Sequence, residues 1–499
     1  MTAALNILPG KQDTWRRAYG FAVANAVVFA LLSAVDAALS VNSIVWEAGV
    51  ASLFCLGSLI AFVRLARTGA GLAFIGFFVL GAGVMFGFGT AFATVVDTSD
   101  FRAFFPVWSQ GEQLRNINLL NSVSVLIVLL TAWPLCMVER ANRGAGEAIG
   151  LLLDAISRFQ LPLMVISVVV LAAEALTLPA PSNLLLAGAL RAVSPLPLIA
   201  ITVTFARAGK SGAAQLAIAA AMAIGAAAIG LLREAKTDTI LPLVGVAIGL
   251  WLNRRSRLAA MLLVAACAIG YFAVLAPLTT DARRHAIITE GVTNRADAVQ
   301  YLSEGWDDFV HGRTDAAEEQ SFVARLSAAP FQAFMIDQFN EGRPGDSLRN
   351  AWAAAVPRVL WADKPDVTRF GRELYGLVEG TSDPHSALAP TYTAEAYWNG
   401  GWVALVVVSI IVGLELGWLT RKWLLLSSGA SRDIGILIMA IPAALFGVLV
   451  EAWIGGTYIG GFLTLAVLIT ILDIAGRTTF GSRRPAGRQL NMGYTGIRP

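Results

Sequence analysis

Residues 258–278, LAAMLLVAACAIGYFAVLAPL, are an apolar run that stops at Leu278, and no comparable run starts again until residues 400–420, GGWVALVVVSIIVGLELGWLT. The stretch between them, residues 279–399, is mostly polar. It holds all three histidines, His285, His311 and His385, and the segment PRVLWADKP at 357–365. Outside this interruption the chain is a succession of apolar segments. The fold class therefore turns on one gap in an otherwise membrane-like sequence, and the chemistry is expected at the face where that polar stretch emerges.

Composition excludes a soluble domain. Hydrophobic residues make up 56% of the 499 and charged residues 14%, with a mean hydropathy of +0.66. An ordinary soluble chain carries about 25% charged residues. A net charge of +3 is too small to argue for a nucleic-acid partner, and the basic residues fall in short clusters between apolar segments. Cys55, Cys136 and Cys267 all lie inside apolar segments, so no disulfide framework is implied. Lys11, Arg16 and Arg17 precede the first apolar stretch with no well-placed small-residue cleavage site. That stretch is expected to stay as a transmembrane helix.

Crossing hydrocarbon takes about 20 mostly apolar residues as helix, because each unpaired backbone group in lipid costs several kcal/mol. Twelve such segments are expected: 19–41, 43–66, 70–95, 117–138, 159–178, 185–206, 213–232, 238–253, 258–278, 400–420, 433–453 and 455–476. The span at 238–253 is short, and 185–206 carries Arg191 and two prolines. Lys and Arg collect in alternate connections, at Arg64/Arg67, Arg140/Arg143/Arg158, Arg207/Lys210, Arg254/Arg255/Arg257, Arg421/Lys422/Arg432 and Arg477/Arg483/Arg484/Arg488. The opposite connections are nearly uncharged or mixed. By the positive-inside rule both termini are cytoplasmic and the large loop faces outward. The expected organisation is an N-terminal nine-helix part (1–278), an outer loop (279–399), a three-helix part (400–476) and a basic, disordered tail (477–499).

The outer loop has helical periodicity of its own. Val299, Leu302, Trp306 and Phe309 recur at helical spacing, as do Phe322, Leu326, Phe334 and Met335 across Pro330, and Leu348, Trp352 and Val356 before Pro357. These are expected as short amphipathic helices along the membrane face, with Trp at the headgroup level. Asp307 and Asp308 are adjacent rather than spaced for chelation, so they read as a solvated helix face.

Ionisable groups in or beside the spans on the outer side are Glu47, Glu174, Arg191, Arg233, Glu234, Lys236 and Glu451. A charge at mid-bilayer costs at least about 2.5–3.5 kcal/mol, so each needs a cavity or a partner. Glu174 and Arg191 either pair across a short outer turn or serve a site. Arg233 and Lys236 either snorkel to the interface or form a cationic lip for an anionic lipid head group. The segment 357–401 supplies Arg358, Lys364, Arg369 and Arg372 as cations, His385 as a titratable base and Glu395 just before re-entry. Arg suits two-pronged capture of phosphate oxygens and Lys acts as a point charge. Neutral His accepts a hydroxyl proton near neutral pH. A plain solvated loop is the competing reading.

Pro357-Arg358-x-Leu360-Trp361-x-x-Lys364-Pro365, followed by Thr381-Ser382 and then Glu395-Ala-Tyr397-Trp-Asn399-Gly-Gly401, resembles the Wzy-type O-antigen and exopolysaccharide repeat-unit polymerases. Arg325 resembles an arginine that the family tends to carry upstream. The long outer loop between the ninth and tenth spans is similar to that of the related O-antigen ligases. Trp398-Asn399-Gly400 departs from the Asn-Phe-Gly order common there.

The resemblance implies an all-α polytopic protein of a bacterial inner membrane, acting as a glycosyltransferase at the periplasmic face. The donor would be an oligosaccharide on polyprenyl pyrophosphate and the acceptor a sugar on a second lipid-linked unit. A chain-length regulator and a flippase would be partners, and membrane lipid would surround the site. Arg358, Lys364, Arg325, Arg191, Arg233 and Lys236 would bind pyrophosphate or glycan, and His385, Glu395 and Arg358 would be catalytic. No cofactor is implied, and no Asp-x-Asp or His cluster at metal-ligand spacing stands in the loop, so cations replace a divalent ion. Three other readings remain open: a ligase with the same donor, a twelve-helix lipid-linked sugar flippase or transporter, and a scaffold.

Overall fold

The computed structural model describes residues 10–41, 43–67, 74–94, 110–137, 160–177, 195–208, 211–232, 236–252, 256–270, 295–311, 328–356, 391–426 and 454–463. It also describes shorter runs at 274–275, 278, 360–361, 363–365, 370–371, 373–374, 377, 465–467 and 470. The expected span 433–453, His285 and the tail 477–499 lie outside the described residues.

Among the described residues every regular element is helical. In chain order these are α1 (Gly10–Leu39), α2 (Ile44–Arg67), α3 (Phe74–Ala82, running on through a π-turn at Gly83–Phe88 to Gly89–Phe92), α4 (Gln110–Cys136), α5 (Gln160–Leu176), α6 (Pro195–Ala206), α7 (Ala213–Leu232), α8 (Lys236–Leu252), α9 (Arg257–Gly270), α10 (Arg295–Val310), α11 (Ala329–Asn340), a 3-10 helix (Ser347–Ala355), α12 (Tyr392–Leu426) and a π-helical segment (Ile454–Gly461). Among the described residues, six stretches are long and apolar enough to cross a membrane: Thr14–Leu39, Ile44–Leu65, Phe74–Phe92, Gly111–Cys136, Ala213–Leu232 and Tyr392–Lys422. Shorter apolar helices stand at Gln160–Leu176, Leu196–Ala206, Asp238–Trp251, Leu258–Cys267 and Ile454–Val467. The protein is thus membrane-embedded and helical.

Helix is the form that lets an apolar run of this length pair its own backbone groups without water. Large aliphatic side chains stay exposed along α1, α2, α5, α9 and α12, Leu31, Leu53, Val169, Leu262 and Val403 among them, as lipid-facing surfaces do. The opposite faces of α1–α4 and α12 share a core that includes Tyr19, Phe29, Phe54, Phe78, Phe86, Leu114, Val412 and Tyr458. Phe29 stacks on Phe54 at 4.2 Å between centroids, and the buried Tyr19 hydroxyl donates to the Leu129 carbonyl at 2.8 Å. A second core of Met164, Ile201, Met222 and Val246 joins α5, α6, α7 and α8.

Helices α4 and α12 make the most extensive pairing. Gly413 and Gly417, four apart on α12, allow it: a Cβ at Gly413 would sit 2.7 Å from the Val128 carbonyl, and one at Gly417 would sit 3.0 Å from Ala132 Cα. Small residues at this spacing let two backbones meet where lipid offers no hydrophobic drive.

Among its described residues the polar stretch holds helices at 295–310, 329–340 and 347–355. α10 covers the first apolar face, with Trp306 half-exposed, and Asp307 is exposed and paired with His311 at 3.0 Å. α11 holds Pro330 in its first turn and is not broken by it, since proline fits there, where its missing N–H costs nothing. Phe322 and Leu326 lie outside the described residues. α11 is buried on Ala329, Gln332, Ala333, Met335 and Ile336 and packs against α12 and α4. The 3-10 helix packs on the segment 454–461.

Candidate functional site

Thr391 to Trp398 is buried on every side, an unusual state for a turn of helix that holds a carboxylate. Thr391 starts it: its hydroxyl accepts from the Ala394 N–H at 3.3 Å, a side-chain cap for an orphan donor. The helix breaks at Gly400–Gly401. Gly401 has φ +60° and ψ −147°, a region open in practice to glycine alone, and a Cβ there would sit 2.8 Å from the Phe339 ring of α11. The break separates a short pedestal, 392–399, from the long apolar rod that follows.

The pedestal is tied to the loop by its polar side chains. Glu395 Oε1 accepts from the Ser347 hydroxyl at 2.8 Å, and Oε2 accepts from the Ile454 N–H at 2.8 Å. Asn399 donates to the Glu395 carbonyl at 2.8 Å and to Ser347 Oγ at 2.9 Å, while its own oxygen accepts from the Leu348 N–H at 3.0 Å. The Tyr397 hydroxyl donates to Asn340 Oδ1 at 3.1 Å. The Trp398 indole donates to the Arg343 carbonyl at 2.8 Å, and the Gly345 N–H donates back to the Trp398 carbonyl at 3.0 Å. Met335, Phe370, Leu374, Ala394 and Trp398 close a small apolar core around these bonds.

Lys364 reaches the same element from the other direction. Its ammonium donates to the carbonyls of Val356 at 2.8 Å and Ala353 at 3.2 Å. Those carbonyls end the 3-10 helix, where a cation meets the negative end of the peptide dipoles. Beside it Trp352 and Trp361 stack with centroids 5.4 Å apart, and Trp352 is more than half exposed.

Beneath the pedestal lies a second polar layer. Gln332 of α11 exchanges hydrogen bonds with Asn121 of α4, donating at 2.8 Å and accepting at 3.2 Å, and reaches Thr391 at 2.9 Å and Thr393 at 3.1 Å. Ser124 bonds the hydroxyls of Tyr392 at 2.8 Å and Ser409 at 2.6 Å. At the rim Gln113 donates to Asp337 at 2.6 Å. Burial raises the Asp337 carboxyl above its ordinary range, and the Gln113 bond opposes that shift.

Of the residues singled out from the sequence, Lys364, Glu395 and Asn399 meet at one element, the 3-10 helix, while Tyr397 and Gly401 meet the end of α11. Arg358, His385, Arg325, Arg191 and Arg233 lie outside the described residues. Lys236 opens α8, and its side chain is likewise outside them. Sequence reading missed Ser347, Gln332 and Asn121. A signal existed for one of them: α4 carries Gln113, Asn118, Asn121, Ser122 and Ser124 within an otherwise apolar helix, a polar stripe that needs partners. Among the described residues no three His, Cys, Asp or Glu side chains come together at metal-binding distance. No family profile, curated protein or solved structure matches the chain.

Proposed function

We propose that this protein is a membrane-embedded glycosyltransferase that takes a glycan from polyprenyl pyrophosphate and passes it to a sugar hydroxyl on a second lipid-linked unit. One observation carries the reading. Lys364, Glu395, Tyr397, Asn399 and Gly401 are among the described members of the polymerase-like pattern. Though up to 37 positions apart, Lys364, Glu395 and Asn399 converge on the 3-10 helix at 347–355, while Tyr397 and Gly401 meet Asn340 and Phe339 at the end of α11. That convergence gives the pattern a structural reason: it fastens the chain on both sides, in sequence, of the stretch 366–390, which holds Arg369, Arg372 and His385.

On this reading the bond from the anomeric carbon to the donor phosphate breaks, and a new bond forms to the acceptor oxygen. The departing pyrophosphate takes the electron pair and needs cations, supplied by Arg358 and Lys364 with Arg325, Arg191, Arg233 and Lys236. The acceptor proton goes to His385. Glu395, with an oxygen on each of two donors, acts as a positioning residue through Ser347 and the segment at Ile454. The exposed Trp352, stacked on Trp361, offers an apolar platform for a sugar face. The protein in detergent, given a lipid-pyrophosphate oligosaccharide and no nucleotide sugar, should lengthen it. An unchanged oligosaccharide in the presence of folded protein would remove the proposal.

A further inference from the structure

The turn between α1 and α2 buries a polar group that the transfer chemistry leaves unused. Asp36 stands in the last turn of α1, Glu47 in the first turn of α2, and Asn118 in α4. Their side chains are 0%, 1% and 0% exposed. The Asn118 amide donates to Glu47 Oε2 at 2.5 Å and to the Glu47 carbonyl at 3.3 Å, which fixes its orientation. The Asp36 side chain is close enough to the Glu47 carboxyl to act on it directly. Among the described residues, both Asp36 oxygens, Glu47 Oε1 and Asn118 Oδ1 have no donor.

Four buried acceptor oxygens with no donor are costly, and two facing carboxylates add repulsion in a medium of low dielectric. Positive charge must offset both. Among the described residues, the charged groups facing the pair are few. Arg115, one turn before Asn118 on α4, acts on Glu47 at longer range and bonds Glu112 at 3.5 Å. The arginines of α1 and α2, at 16, 17, 64 and 67, lie at the far ends of their helices, roughly 25–30 Å away at 1.5 Å per residue.

The number of open oxygens decides between the possible cations. A shared proton bonds one oxygen and is accepted by one other, so two of the four would stay unsatisfied. A divalent ion such as calcium takes about 6–8 oxygens and more carboxylates than stand here. Arg115 offsets part of the charge of the two carboxylates, and a single hard monovalent ion adds one positive charge without calling for calcium's larger ligand set. We propose that Asp36, Glu47 and Asn118, brought together where the turn of the first helical hairpin meets α4, form a binding site for a monovalent metal cation of sodium's size. Asn118 is one turn from Asn121, which holds Gln332 and Thr393. The bound ion therefore fixes α1, α2 and α4 at the level where α11 is seated.

The test is equilibrium binding of radioactive sodium to the full-length protein in detergent, in a choline chloride background. Wild type should bind saturably, one ion per chain, and unlabelled sodium should displace it. Glu47→Gln and Asp36→Asn should each weaken binding by about tenfold or more, the scale of removing one charge from a buried site. In parallel, the thermal midpoint of wild type should rise with sodium chloride over choline chloride at equal ionic strength. Absence of saturable binding by wild type overturns the proposal, as does unchanged binding in both variants. A midpoint that follows pH and ignores sodium also overturns it, and assigns the pair a shared proton instead. Wild-type binding and its midpoint decide the matter if a variant does not fold, and neither readout depends on glycosyl transfer.

Discussion

Glu395 shows what a single buried carboxylate does when both oxygens are engaged. In Glu395→Gln one oxygen becomes an NH2 group, so either the Ile454 N–H loses its acceptor or the Ser347 hydroxyl must turn. Leaving one buried donor unpaired costs about 1–3 kcal/mol, which should appear as a lower thermal midpoint in detergent together with reduced transfer. His385→Ala should separate from it, abolishing chain extension at an unchanged midpoint while donor binding persists. Full-length polymer from His385→Ala with none from Glu395→Gln at a wild-type midpoint would move the base to Glu395. Arg358→Lys keeps the charge and loses the two-pronged grip on phosphate, so polymer length should fall sharply at normal expression; near-normal polymer from Arg358→Ala would remove Arg358 from the site. Asp337 supplies a pH test. Burial raises its folded-state value above the ordinary 3.8, so the folded protein holds this proton more tightly than the unfolded chain does. Its contribution is fully present at acid pH, and stability falls as pH rises through the window upward from 3.8. The thermal midpoint of Asp337→Asn should not show this fall, and identical pH profiles for the two proteins would rule the effect out.

Gly401 carries the comparable argument for an element. Its left-handed backbone lets α12 break into pedestal and rod, and its missing Cβ lets Phe339 of α11 close on the break. Gly401→Ala should cost on the order of 1–3 kcal/mol from backbone strain alone. The same substitution at the helical Gly225, where a Cβ meets nothing within 4 Å, should not lower the midpoint; equal losses at both sites would refute the role given to the break. These elements also mark what was readable in advance. Long apolar runs such as 213–232 leave the backbone no alternative to helix, so their positions were plain from composition. The faces of α10 and the 3-10 helix were readable from spacing. The pair Gly400–Gly401 read only as the start of a span, because a helix that begins at Tyr392 needs the buried contacts of Thr391, Glu395 and Trp398 with partners about 50–60 positions away or more. Ser347, Gln332 and Asn121 escaped for the same reason: each is an ordinary polar residue until a distant helix brings its partner.

At the scale of the whole molecule, the described part of the polar stretch is bonded into the membrane helices. Gln332 spends its hydrogen bonds on Asn121 of α4 and on Thr391 and Thr393. Asp337 is held by Gln113 of α4, and Glu395 is held from beyond the rod by the Ile454 N–H. Met335 and Ile336 bury their side chains against the same surroundings. Cut out as residues 279–399, the stretch would keep Thr391 and Thr393 but lose Asn121, Gln113 and Ile454, together with most of the surface that covers α11. Each buried polar group left without its partner costs about 1–3 kcal/mol, which is large against the 5–15 kcal/mol that hold an ordinary domain together. The excised segment should therefore give no cooperative thermal transition by circular dichroism and should aggregate or remain unfolded. The intact protein in detergent should melt with the loop and the helices α4 and α12 in a single step, read by near-ultraviolet signals from Trp398 and its neighbours. A sharp transition from the isolated segment, at a midpoint close to that of the intact protein, would show that the loop folds by itself and that the membrane helices only carry it.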